Sequence, residues 1–153
     1  MRKRRFKVDQ MRARVLIQIC LVIVWWPSPP AEAGVQSDLG PGVKSFLEFL
    51  RQEEEELEYQ IRHREISRRE YTRSKNRFAI MRETVLRSVK KTGQDIVPEL
   101  HVVTASEIDQ LIEKGMRALR GVRAGAIIED KWRYLGRVSR GEVFYVFERL
   151  TKK

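Results

Sequence analysis

Residues 43–92 read VKSFLEFLRQEEEELEYQIRHREISRREYTRSKNRFAIMRETVLRSVKKT, fifty positions without a glycine or a proline. Glu, Arg, Leu and Lys dominate, and these residues lose little on entering a helix. Gly93 follows Lys90 and Lys91, the order of cations then glycine that stops a helix. The stretch therefore predicts either one long helix, about 75 Å as a single rod, or two helices with a break that uses no glycine.

Its apolar residues are arranged in columns. Val43, Leu50, Leu57, Arg64, Tyr71, Phe78 and Val85, seven apart, give six apolar or aromatic members of seven. The companion column Leu47, Glu54, Ile61, Arg68, Lys75, Arg82 and Val89 gives only three. One good column and one that fails in its middle make half a coiled coil. A straight helix drifts about 20° per heptad against such a repeat, roughly 120° over six. Three readings compete: self-association of two copies through Val43, Leu50, Leu57, Tyr71, Phe78 and Val85, a helix packed at its ends on its own domain, and a solvated helix. Charge is ordered too. Glu48, Glu53, Glu54, Glu55, Glu56 and Glu58 come first, and eleven Lys or Arg lie between Arg62 and Lys91. Acid first and base last suits the helix dipole.

Beyond this stretch, Glu99 to Val103 is a strand candidate edged by Pro98, and 105–120 a helix candidate. Thr104 and Glu107 have capping-box spacing. Ile108, Leu111, Ile112, Met116 and Leu119 form an apolar stripe, closed by Gly121. Ala126–Leu135 and Glu142–Leu150, separated by Ser139-Arg140-Gly141, read as a hairpin. Trp132 and Tyr134 share one face. On the return strand Val143, Tyr145 and Phe147 lie opposite Phe144 and Val146. Helix 105–120 is expected to cover one face and the end of the long segment, through Phe78, Ile80, Met81, Val85 and Val89, the other. A module of this size is marginal alone. The fold class is thus α+β: a long charged helix or helix pair (43–92), then a small β-α-β-β module (93–153) ending in a hairpin.

Upstream, a basic start MRKRRFKVDQMRAR precedes twelve mostly apolar residues, Val15–Trp26, then PSPP and Ala31-Glu32-Ala33. These are the three parts of a secretory signal peptide. A spanning helix needs about 20 apolar residues, so no stable transmembrane anchor is expected. Met11 could equally serve as the start. Cleavage after Ala33 (1–33 signal, 34–42 flexible lead-in) leaves 24 basic and 19 acidic residues, a net +5 rather than +10. It also removes Cys20, the sole cysteine, so no disulfide forms, and a bacterial envelope suits such a chain better than an oxidising extracellular fluid. The expected localisation is periplasmic or secreted.

Catalytic motifs are missing. Gly-rich nucleotide loops and nucleophile elbows do not occur. His63 sits among arginines, and His101 with Ser106 and Asp109 supplies only the residue types of a hydrolytic triad. Neither metal nor cofactor is expected, and the chain does not read as an enzyme. Two anion sites are candidates: Arg62, Arg69, Arg73 and Arg77 gathered on a helix, and Arg120 and Arg123 flanking the glycines 121 and 125, where a backbone nest could form. The primary reading is an exported, non-enzymatic interaction or structural protein acting through its long helix, with a protein partner or a second copy. The alternative is a module for anionic ligands: nucleic acid, anionic lipid or an envelope polymer. Nucleic acid is not expected of an exported chain. Were the leader retained in the cytosol, helix, helix and aromatic hairpin resemble a DNA-binding winged helix in outline.

Overall fold

The computed structural model of the chain describes residues 39–150. The proposed signal and the start of the lead-in lie outside them. The glycine-free stretch forms two helices, α1 (Pro41–Arg62) and α2 (Arg68–Thr92). The rest holds β1 (Leu100–Thr104), a single helical turn α3 (Ile108–Leu111), a 3-10 turn (Gly115–Leu119), β2 (Ile127–Ile128), β3 (Trp132–Arg140) and β4 (Glu142–Arg149). The strands make one antiparallel sheet in the order β1-β4-β3-β2. The class is α+β.

The helix break is specified by capping at both sides. Arg64 adopts φ 62; its N–H bonds Ile61 O at 3.2 Å and the Glu65 N–H bonds Gln60 O at 2.9 Å. This pair of bonds is a Schellman motif, here with arginine in the left-handed place that glycine usually takes. Three residues later Ser67 opens α2 with a reciprocal capping box: Oγ accepts from Glu70 N at 3.2 Å, and Glu70 Oε2 accepts from Ser67 N at 2.8 Å.

Alternation along β4 divides the core. On one face Trp132, Tyr134 and Phe147 pack with Ile108, Ile112 and Ile128. On the other Phe144, Val146 and Val102 meet Ile80 of α2. The covers are those the sequence predicts, α2 included. β3 has a bulge: Tyr134 pairs with Phe147 but Gly136 with Val146, leaving Leu135 as the extra residue. Gly136, at φ 133, takes a backbone conformation that side chains resist. Because the bulge resets the alternation, Leu135 and Val138 both face α2.

Three expectations need correction. The helix 105–120 is broken, because Ile112 is extended and Gly115 has φ 53. The N–H groups of Glu113 and Lys114 turn to the Glu129 carboxylate, each at 3.3 Å, instead of to carbonyls one turn back. Ile108 and Ile112 are fully buried, but Met116 of the expected stripe is exposed. The capping box at Thr104 is half made: Glu107 Oε2 accepts from Thr104 N at 2.8 Å, while the Thr104 hydroxyl donates to that carboxylate at 3.0 Å. The strand candidate 126–135 is two strands, β2 and the start of β3, joined at Glu129 and Asp130. Their φ values of 52 and 53 give the twist of a type I′ turn.

α1 packs on α2, and α2 packs on β1. Val43 of α1, Val85 of α2 and Leu100 of β1 form one buried cluster. At its rim α1 lacks a cap of its own. Asp95, beyond the end of α2, supplies one: Oδ2 accepts from Gly42 N and Oδ1 from Val43 N, both at 2.8 Å. A methyl on Gly40 would lie 2.1 Å from Asp95 Cγ, so glycine there permits the approach. Asp95→Ala is expected to lower unfolding stability by about 1–2 kcal/mol in urea titration, with Asp95→Asn losing less; an unchanged midpoint for the alanine variant would show that the cap is idle.

Candidate interaction surface of the helical hairpin

Three arginines of α2 find a carboxylate, Arg73 and Arg77 on the C-terminal module and Arg82 on α1, while Arg87 is exposed. Arg73 binds Glu142 through Nε at 2.8 Å and Nη2 at 3.1 Å. Arg77 Nη2 donates to both oxygens of Glu107, at 2.8 and 2.6 Å. Arg82 reaches Glu54 of α1 at 2.9 Å. Asn76 donates to the carbonyl of Arg140 at 2.9 Å, and Arg140 itself pairs with Glu83. These contacts lock α2 over the β3–β4 turn.

At the other end of α2 the cations are free. Arg64, Arg68 and Arg69 are exposed and pair with no carboxylate among the described residues. Arg62 is exposed too, with Nε on the Glu58 carbonyl at 3.2 Å. The proposed set Arg62, Arg69, Arg73 and Arg77 is thus split. Arg62 and Arg69 flank the turn; Arg73 and Arg77 are occupied. Arg120 and Arg123 lie on the loop after the 3-10 turn, where the N–H groups of Val122, Gly125 and Ala126 already bond Leu119 O, Tyr134 O and Arg123 O at 3.3, 2.7 and 3.2 Å. A nest there has little left to offer an anion.

The apolar column is placed with equal clarity. Val43, Leu50, Leu57 and Val85 are buried within the chain; Tyr71 and Phe78 are half-buried. A second copy cannot reach Val43, Leu50 or Val85 unless the hairpin opens. Phe46 and Leu47 pack beside that stripe, and the side of α1 away from it faces solvent. Phe49 and Tyr59 are 51% and 45% exposed, large values for aromatics on a helix that already buries one stripe. His63 stacks on Tyr59 with ring centres 3.9 Å apart, and its Nδ1 lies 2.9 Å from the Tyr59 carbonyl, which orders both rings. Beside them run Glu48, Arg51 and Glu55, where Arg51 bonds both acids. Its guanidinium, with Gln52, holds the Glu48 carboxyl down to about 2.

Elsewhere the residue types of a triad stay apart. The Ser106 hydroxyl bonds that of Thr104 at 3.0 Å, while His101 lies edge-on to Trp132 and 3.4 Å from Glu99. Among the described residues no three metal-binding side chains converge, and no helix is long and apolar enough to cross a membrane.

The Glu107–Arg77 pair makes a pH signature. Burial pushes the Glu107 carboxyl up, but the Thr104 N–H and Arg77 outweigh it, so the group ends below the usual glutamate range. A carboxyl depressed in the folded state adds stability above its unfolded value, about 4.3, and that stability is lost as pH falls through the folded value. Glu107→Gln is therefore expected to cost about 1–3 kcal/mol at pH 7 and to shrink the acid loss of stability below about pH 4.3. Parallel pH–stability curves for the two proteins would refute the assignment.

The sequence matches no protein-family model, and neither a curated protein nor a solved structure is significantly similar to it.

Proposed function

We propose that this chain is an exported, non-enzymatic interaction protein whose working surface is the solvent face of α1. One observation carries the reading: α1 is held by a single face, and its free side presents Phe49 and Tyr59 to solvent. Exposed aromatics beside charged residues suit recognition of another macromolecule, since aromatics supply much of the energy of protein contacts. The basic leader, the apolar run and the Ala31-Glu32-Ala33 site support export.

A second reading rests on the turn. Arg62, Arg64, Arg68 and Arg69 lie exposed at one end of the hairpin with no ion pair among the described residues, outnumbering Glu65 and Glu70 beside them, and such a cluster suits an anionic ligand held through phosphate or carboxylate groups.

Photo-crosslinking in the native host tests the first reading. A benzophenone side chain at 49 or 59 is expected to form adducts, and one at Ile127, equally exposed but on β2, is not. Adducts from 127 alone would overturn it. Export is tested by intact mass of the purified chain: loss of residues 1–33 is expected, and a full-length cytosolic protein would refute it.

A further inference from the structure

Resting on the reading of α1 as the working surface, we infer that its partner is a second copy of this chain, docked α1 against α1 in antiparallel orientation with a two-fold axis near Tyr59. Three features of α1 combine to give this. First, the helix has a face that its own fold leaves uncovered. Val43, Leu50 and Leu57 take the side against α2. At 100° per residue, Tyr59 lies on the opposite side of the helix from Leu50, with Gln52 next to it. Second, the centre of that face is aromatic and ordered: Tyr59 is 45% exposed and fixed by its stack with His63.

Third, the charge along the face is polar from end to end. Glu48, Glu55 and Glu56 precede Tyr59; Arg62 and His63 follow it, and Arg64, Arg68 and Arg69 crowd beyond. A parallel mate would set Glu55 and Glu56 against their own copies. An antiparallel mate centred on Tyr59 sets Glu55 of one copy opposite Arg62 of the other, and Glu56 opposite His63, twice over by symmetry. Flanking charges of this kind decide orientation between paired helices. A two-fold contact also closes on itself, so it gives dimers and not filaments. The free arginines of the turn thereby meet the acids of α1, of which Glu56 has no cation of its own among the described residues and Glu48 and Glu55 share Arg51. The same symmetry brings Tyr59 against Tyr59, whereas the two Phe49 residues stand about 30 Å apart.

The full chain with Cys20→Ser is the material for the test. Sedimentation equilibrium is expected to show a dimer at low salt that weakens roughly ten-fold between 50 and 500 mM salt as the ion pairs are screened; a monomer at every concentration and salt would overturn the inference. Under mild oxidation Tyr59→Cys is expected to crosslink to itself and Phe49→Cys is not. Crosslinking at both positions means a parallel pair, and at neither means no such dimer; each outcome overturns it. Glu55→Arg and Arg62→Glu should each weaken the dimer, and the double variant should restore it, since swapped charges meet again across the axis. Circular dichroism checks that each variant folds, and failure of the double variant to recover counts against the geometry. Adducts from 49 and 59 to another protein, with none to the chain itself, would leave the α1 reading standing and remove the second copy.

Discussion

Everything in the described fold leans on the meeting of Val43, Val85 and Leu100, where α1, α2 and the sheet come together. Val85 is the middle member and is fully buried. α2 must therefore be apolar on two sides, towards α1 and towards the sheet, while its ends stay charged. That demand explains why its apolar residues look irregular against any single repeat. It also explains why the C-terminal module, which lacks a thick helical cover of its own, is complete only with α2 in place. Ile80 and Met81 close the face of Phe144 and Val146, which the short turn α3 cannot reach from the far side.

Polar contacts then fix which way α2 lies. Ion pairs of this half-exposed kind add little energy each, yet those at Arg73, Arg77 and Arg82 join residues from 28 to 69 positions apart. Those at Arg73 and Arg77 are satisfied in one registration of α2 on the module, that at Arg82 in one registration of α2 on α1, and a shift of one turn breaks each. Their contribution is to specificity more than to stability. The arginines at the turn are under no such demand, which is why they remain available.

Legibility in the sequence followed the range of the interaction. The alternation Val143 to Phe147 assigned both faces of β4 correctly, because burial of a strand is written in a period of two. Of Phe78, Ile80, Met81, Val85 and Val89, the expected cover of the hairpin, Ile80 and Met81 pack on Phe144 and Val146, Val85 and Val89 join Val43 and Leu100, and Phe78 is half-buried outside these clusters. The helix break was present as Ser67-Arg68-Arg69-Glu70, a capping-box signature, but the lack of glycine and proline masked it, since Arg64 fills the left-handed position. The fate of 105–120 was only half legible: its stripe is helical, Gly115 in its middle is the local sign of the break, and the Glu129 carboxylate that takes the freed N–H groups lies sixteen residues from Glu113. Asp95 as the cap of α1 acts across 52 and 53 residues, and no local pattern announces it. The arginines were visible as a basic cluster. Which of them are neutralised depends on Glu142, Glu107 and Glu54, whose positions only the fold supplies.

Strand order has a consequence for how the chain acquires this shape. β4 follows every other strand in sequence yet sits between β1 and β3, and it brings Phe144 and Phe147, the largest fully buried side chains. Until it is synthesised, β1 has no neighbour to bond with and both faces of the sheet lack their central aromatic. Before β4 is made the sheet cannot assemble, and only the helical hairpin is able to form early from nearby contacts.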